Sequence, residues 1–243
     1  MVKNYFLLTL FFLLFIAAFI LGFAGLLPGV SKLFGADKPK DLGIKYSVED
    51  LQSADQKTGI KIVILPLVGS PQESLSYSGN VNVNTRFTSE ELTASINRWF
   101  EKWKYFPLSD CQIKINADNS VEISGIFRTD RVYGYLAAAG YDQKDIERVL
   151  GTIDTIKTNP PFYVKSNASI KDNTLSLDIE KIMIGKLSLP SFWIKNHQKE
   201  IAQFLEEDRI NRIPKVDVRN LNFEAGTMKF EGVIPQIEAT INE

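Results

Sequence analysis

Side chains that can perform catalysis are few in this chain. His197 is the only histidine, and its neighbours Lys195–Lys199 indicate an exposed helix flank. A Ser-His-Asp or Cys-His arrangement would need that histidine, and neither a Gly-x-Ser-x-Gly elbow nor a cysteine motif accompanies it. The acidic cluster Glu206–Asp208 is typical of a solvated helix face rather than of a metal site. No Gly-rich phosphate loop or dinucleotide motif occurs. We therefore predict no catalytic residues, no metal and no cofactor, and we expect the protein not to be an enzyme.

Charge and cysteine content narrow the function classes further. The 243 residues carry 28 basic and 29 acidic side chains, a formal net charge of −1. A nucleic-acid-binding protein needs a clustered excess of Lys and Arg to displace counterions from phosphates, so we predict no nucleic-acid partner. Cys111 is the only cysteine, which excludes an intrachain disulfide. We expect it to be a small buried residue on a strand.

Aromatic residues are the side chains best suited to a binding site. Ligand clefts are mainly apolar with a few polar groups, and aromatic rings supply such a surface. The same rings can fill the core between a helix and a sheet, and the sequence leaves both interpretations open. The candidate ligand-binding residues of this kind are Trp99, Trp103, Phe106 and Tyr133. Trp193 and the other tyrosines near Gly140 belong to the same aromatic set.

The N-terminus contains a long uncharged apolar segment. Tyr5 to Leu27 spans 23 residues without a charge, about 34 Å as a helix, against a hydrocarbon core of about 30 Å. A cleavable signal peptide has a shorter apolar region, and Phe23-Ala24-Gly25 is a weak cleavage site. We therefore expect residues 1–27 to be an uncleaved transmembrane signal-anchor, with a cleaved signal as the alternative. Residues 28–41 are typical of a linker.

The orientation of the expected anchor rests on opposing signals. Lys32, Lys38 and Lys40 follow the apolar segment, and the positive-inside rule alone would place the following domain in the cytoplasm. The leading flank of four residues suits a signal-anchor, and the rest of the chain lacks cytoplasmic enzyme motifs. We expect a single-pass protein of the cell membrane with a cytoplasmic N-terminus and residues 42–243 outside the cytoplasm.

Helices and strands in residues 42–243 are predicted by caps and by apolar periodicity. Ser47 begins a short helix that ends by Gly59, and Thr88 with Glu91 forms a capping box. An apolar stripe behind Thr88 runs through the next helix. A strand is predicted over 60–65 and another over 77–87, because β-branched or alternating apolar residues fill them.

The C-terminal two thirds alternates hairpins with helices. Hairpins are predicted at 111–127, 162–184 and 216–234, and a long helix at 191–210. A helical insert in two pieces, broken at Gly140, spans 130–150. Strands outnumber helices and are joined by hairpins, so we predict an α+β fold in which antiparallel strands cover amphipathic helices.

Two segments of this domain follow one plan of strand, helix, proline and hairpin. They span 77–127 and 182–234 and align at an offset of 107, which pairs Asp110 with Asp217 and Gly125 with Gly232. The likeness favours an internal repeat. Chance is the alternative, because any two hairpins share alternation and a turn.

The segment Asn167–Pro190 contains Ile-x-x-Gly-x-Leu-x-Leu-Pro before the long helix, and Thr88-Ser-Glu-Glu-Leu with Ala94-Ser-Ile-Asn97 opens the first one. These motifs resemble small membrane-anchored bacterial proteins related to the tubular lipid-binding (TULIP) superfamily, over about 77–235. The resemblance implies a curved antiparallel sheet wrapped on long helices, with an apolar groove for acyl chains. It adds Ile184 to the residues expected to border the groove, and it implies no catalytic residues. It also implies that the insert can cover or fill the groove.

Two functions follow as hypotheses. The leading one is binding of a lipid or other hydrophobic ligand in an apolar groove, next to a membrane. The alternative is a structural or assembly subunit of a cell-envelope complex, acting through contacts with a protein partner.

Overall fold

A computed structural model describes residues 2–66, 69–153, 156 and 158–242, with side chains from Phe11 onward except those of 152 and 209. The helices are α1 Val2–Phe23, α2 Val30–Leu33, α3 Val48–Thr58, α4 Ser89–Lys102, α5 Val132–Ala138, α6 Gln143–Ile153 and α7 Ser191–Glu206, which runs on into a π-helical turn, Glu207–Asn211. The strands are β1 Lys61–Leu65, β2 Leu75–Ser78, β3 Val81–Phe87, β4 Leu108–Ile115, β5 Val121–Phe127, β6 Pro161–Lys171, β7 Thr174–Ile184, β8 Leu187–Ser188, β9 Asp217–Glu224, β10 Thr227–Ile234 and β11 Ile237–Ile241.

The strands form two sheets, and the fold is α+β. The large sheet has the order β3-β10-β9-β6-β5-β4, with β7 on the other edge of β6 and β8 beside β7. Every pairing described in it is antiparallel, and the sheet curves into a half-barrel. The small sheet has the order β1-β11-β2, in which β1 runs parallel to β11. The predicted α+β class and curved antiparallel sheet are thus found.

The predicted transmembrane anchor over 1–27 is wrong by this structure. Among the described residues, no helix combines the length and the apolar character needed to cross a membrane. The end of α1 also makes contacts with later parts of the chain. The rings of Phe19 and Phe23 lie 4.9 and 5.8 Å from that of Phe34, and Lys186 N–H donates to the Phe23 carbonyl at 2.9 Å.

Both predicted helix caps are present, but two predicted elements have different bounds. Ser47 and Thr88 each close a capping box, with Asp50 and Glu91 as the reciprocal partners. The predicted strand over 77–87 is interrupted at Gly79, whose φ of 64° turns the chain from the small sheet into the large one. The helix predicted over 191–210 is α-helical only to Glu206 and then widens into the π-helical turn.

Polar side chains of α4 cover the free edge of β4. Ser89, Thr93 and Asn97 lie four residues apart, on one face of the helix. Asn97 takes the Cys111 N–H at 3.0 Å and donates to the Cys111 carbonyl at 2.8 Å. Thr93 binds both backbone groups of Ile113, and Ser89 accepts the N–H of Ile115. The helix therefore replaces a neighbouring strand and satisfies an edge that would otherwise be open.

The two segments that align at an offset of 107 share structural details as well as element order. Strand β4 bulges between Ser109 and Gln112, and the register of β9 with β10 shifts next to Gly232. A Cβ at Gly125 would lie 3.1 Å from the Ser109 carbonyl oxygen, and one at Gly232 would lie 2.4 Å from that of Asp217. Both matched glycines thus face the irregular part of the preceding strand, where a side chain would not fit.

The apolar core consists of two clusters. One lies under β3, β9 and β10 and contains Ala54, Val83, Phe87, Val218 and Phe230. The other joins the end of α4 to the insert formed by α5 and α6, and contains Trp103, Phe106, Val132, Tyr135, Leu136, Ala137 and Ile146. The insert therefore packs directly on the aromatic residues that the sequence suggested for a groove.

Candidate functional site

A cavity of about 350 Å³ lies next to the second cluster. Its walls come from β2, the end of α4, α5 and the chain that follows α7. The lining residues are Leu75, Ser76, Tyr77, Trp103, Tyr135, Ala138, Ala139, Asp208, Arg212, Ile213 and Pro214. The volume is in the range of sites for small organic ligands.

The apolar wall of the cavity is built on Trp103. This side chain is 2% exposed, and its indole N–H donates to the Ser74 hydroxyl at 3.2 Å. Its ring centroid lies 5.6 Å from that of Tyr135. Because the indole is hydrogen-bonded on one side and packed on another, its position is fixed before a ligand arrives. The small side chains of Ala138 and Ala139 leave the space beside it open.

The polar wall comes from the π-helical turn. Its Asp208 is 5% exposed, and its carboxylate accepts hydrogen bonds from the Tyr135 hydroxyl and, at 3.1 Å, from the Tyr141 hydroxyl. Burial and the neighbouring Asp208 charge raise the pKa of Tyr141 well above its ordinary value. Tyr141 therefore remains a donor, and the hydrogen bonds from both tyrosine hydroxyls stabilise the buried carboxylate.

Arg212 follows the same turn and lines the same cavity. Its guanidinium lies 4.0 Å from the centroid of the Tyr141 ring, and Nη1 donates to the Gly140 carbonyl at 3.0 Å. Nε is 3.6 Å from a Glu207 oxygen and has no hydrogen-bond partner among the described residues. Arg212 lines the cavity, and the contacts described above use only part of the five N–H donors of its guanidinium.

The structure brings together some of the residues predicted from the sequence. Trp99, Trp103 and Phe106 form one aromatic cluster, with ring centroids 6.1–6.3 Å apart. Of these, Trp103 reaches the cavity and the other two pack behind it. Tyr133 is 46% exposed and does not line the cavity. Ile184 lies on β7, paired with Phe162 and Leu187, away from the cavity.

The sequence interpretation missed the polar half of the site. We expected Glu206–Asp208 to be a solvated helix face, whereas Asp208 is buried. Its burial depends on the π-helical turn and on two tyrosines that the insert brings close, and no local pattern links them. The available signal was an Asp four residues before an Arg, after the end of an amphipathic helix. Within the described residues, no group of three His, Cys, Asp or Glu side chains is placed to hold a metal ion.

Comparison with known proteins adds no relative, because no protein-family model matches the chain and neither a curated protein nor a solved structure is significantly similar to it. The resemblance to the TULIP superfamily therefore stays a prediction from the sequence motifs.

Proposed function

We propose that this domain binds a small lipid-like molecule, with an apolar chain and one anionic group, and that it binds it without catalysis. The observation that carries the proposal is the cavity itself, in which a preformed aromatic wall faces a partly satisfied arginine. A curved antiparallel sheet is also compatible with lipid binding. The location of the domain outside the cytoplasm stays a prediction from the sequence.

The apolar chain would lie along the wall formed by Trp103. Leu75 and Ile213 extend that wall, and the two alanines of α5 leave room along it. Burying an alkyl chain there contributes about 0.8 kcal/mol per methylene. A ligand of roughly ten carbons therefore gains most of its affinity from this surface.

The anionic group would bind the guanidinium of Arg212. The nearby negative charge of Asp208 would not face it without compensation. The Asp208 carboxylate already accepts two tyrosine hydroxyls, so its charge is stabilised inside the protein. Arg212 offers a planar fork of donors that fits a carboxylate or phosphate. The ligand anion would accept hydrogen bonds from the guanidinium, and these bonds would fix the orientation of the ligand in the cavity.

A pair of ligands that differ only in the head group tests this proposal. Decanoate and decanol have the same chain, and binding of either is followed by tryptophan fluorescence. We expect the Arg212→Gln variant to bind decanoate roughly ten- to a hundredfold more weakly, through loss of about 1.5–3 kcal/mol of charged hydrogen bonding, and decanol equally well. Arg219→Gln is the matched control, because Arg219 is 47% exposed, on β9 and outside the cavity.

The fluorescence signal must also come from the cavity. Trp103→Phe should abolish the ligand-dependent change, whereas Trp193→Phe should retain it. A folded wild-type protein that binds neither ligand would refute the proposal and favour the assembly-subunit alternative. In that case Trp103 would be ordinary core, and Trp103→Ala should cost about 3–5 kcal/mol of unfolding free energy.

A further inference from the structure

A group of exposed apolar residues is separate from the residues that line the cavity. It consists of Leu33 on α2 with Phe192 and Trp193 in the first turn of α7, which are 83%, 69% and 38% exposed. We call these three residues and the surrounding lysines the basic aromatic end. The lysines are Lys32, Lys181, Lys186, Lys195 and Lys199. Burying three such side chains is favourable by itself, so their exposure indicates a surface that contacts something apolar.

Backbone contacts link the end of α1 to the segment that leads into α7. The Lys186 N–H donates to the Phe23 carbonyl, and a Cβ on Gly35 would lie 3.4 Å from Lys186 Nζ. Strand β8 then leads directly into α7, with the Leu189 N–H donating to the Ile182 carbonyl. Helix α7 runs back along β7, since Gln198 accepts from Ile179 and Glu206 from Leu175. These contacts place the end of α1 next to the turn between β7 and β8, and α7 begins a few residues after that turn.

Positive charges outnumber negative ones around the patch, although Glu180 and Glu200 flank residues 181–199 and Lys40 pairs with Glu122. Residues 181–199 contain the four lysines Lys181, Lys186, Lys195 and Lys199 and no acidic residue. Lys32, next to Leu33, is also exposed, and Asp37 is the one acid in residues 24–40, against three lysines. His197 stacks on Trp193 with ring centroids 4.3 Å apart. The local excess of positive charge contrasts with the net charge of −1 for the whole chain.

We propose that the basic aromatic end is a contact surface for a lipid bilayer that contains anionic lipids. Trp at the polar–apolar boundary, with lysines around an apolar patch, is the composition of protein surfaces that bind membrane interfaces. Lysines are depleted in protein–protein interfaces, which disfavours a protein as the occupant. Exposed apolar side chains are also present near the end of α1, where Phe19, Ile20 and Leu21 are 44–47% exposed.

The test measures whether Trp193 itself contacts the bilayer. Vesicle binding alone is not sufficient evidence, because α1 also exposes apolar side chains that can bind lipid. The full chain is mixed with vesicles of phosphatidylcholine and 30% phosphatidylglycerol, in which the phosphatidylcholine carries bromine on its acyl chains. Bromine quenches a tryptophan only at close range. Trp103 is buried and Trp99 is half-buried, so we expect quenching in the wild type and its loss in Trp193→Phe.

Charge and position controls complete the experiment. Lys195→Glu should weaken the lipid dependence of the quenching by about fivefold or more, and so should a rise in salt, because each lysine near an anionic surface contributes about 1 kcal/mol. Leu205→Ser, about 18 Å further along α7, and Lys215→Glu, beyond its far end, should leave the quenching unchanged.

Two results would overturn the proposal. One is co-sedimentation of the chain with vesicles but no quenching of Trp193. The other is a dimer in light scattering that Phe192→Ser converts to a monomer, which would assign the patch to a second copy of this chain. Neither result depends on whether decanoate binds in the cavity.

Discussion

Replacing Glu238 with glutamine should remove a loss of stability that the wild-type protein suffers as the pH rises. Glu238 lies on β11 between β1 and β2 and is 7% exposed. Its Oε2 has no hydrogen-bond partner among the described residues. Burial raises the pKa of this carboxyl to about 7, although the positive charge of Arg98 opposes the shift. Asp55, which pairs with Arg98, adds to it.

The sign and size follow from proton binding. A folded-state pKa of about 7 against 4.5 for a free Glu means that the folded protein binds this proton more tightly than the unfolded chain does. The contribution to stability is therefore complete below pH 4.5 and is lost as the pH rises through 7. At about 1.36 kcal/mol per pKa unit, the difference of about 2.5 units corresponds to roughly 3 kcal/mol.

Urea unfolding of the full chain in a non-ionic detergent, at steps between pH 4.5 and 8, measures this effect. We expect Glu238→Gln to match the wild type near pH 4.5 and to exceed its unfolding free energy by about 3 kcal/mol at pH 8. Glu73→Gln removes a carboxyl from an exposed site and is the matched control. The pKa of Glu122 is lowered to about 2, so this carboxyl titrates below the pH range of the experiment. A wild-type–variant difference that is independent of pH would show that Arg98 keeps Glu238 ionised, and would refute the reasoning.

Three further predictions concern α4 and β4. Asn97→Ala should lower the unfolding free energy by about 2–4 kcal/mol in urea titrations, because it leaves the buried N–H and carbonyl of Cys111 unpaired; Ser95→Ala, whose hydroxyl bonds only its own helix, should cost much less. Thr88→Ala should cost about 0.5–2 kcal/mol through loss of the cap, and an unchanged thermal midpoint would contradict that role. Burial raises the pKa of the Cys111 thiol to about 12, so iodoacetamide should modify it only after unfolding, as mass spectrometry would show.

The elements predicted correctly from the sequence are those that short-range chemistry determines. The N-cap at Ser47 and the capping box at Thr88 need only residues three positions apart. The hairpin between β9 and β10 turns at Ala225 and Gly226, both at positive φ. The break at Gly140, also at positive φ, separates α5 from α6 as predicted. In each case the side chain or the backbone freedom that makes the feature lies within it.

The features that the sequence did not reveal depend on contacts between distant segments. Strand β11 pairs with β1 in parallel and with β2 antiparallel. The local sequence of residues 237–241 does not predict either pairing. The apolar composition of the first helix indicated an anchor, but composition alone did not show that its end packs on Phe34. The site followed the same rule: Trp103 was predicted from its place on an apolar stripe, whereas Asp208 and Arg212 were not.

The two buried carboxyl groups Asp208 and Glu238 differ in the hydrogen-bond donors that surround them. Asp208 receives two tyrosine hydroxyls from the insert, so it can remain buried next to the cavity and hold those hydroxyls in place. Glu238 has Arg98 nearby but an oxygen without a hydrogen bond, and it takes up a proton instead. Burial without enough donors raises the pKa of a carboxyl, as it does at Glu238. This difference is why we place the binding site at Asp208 and Arg212, and treat Glu238 as a determinant of stability.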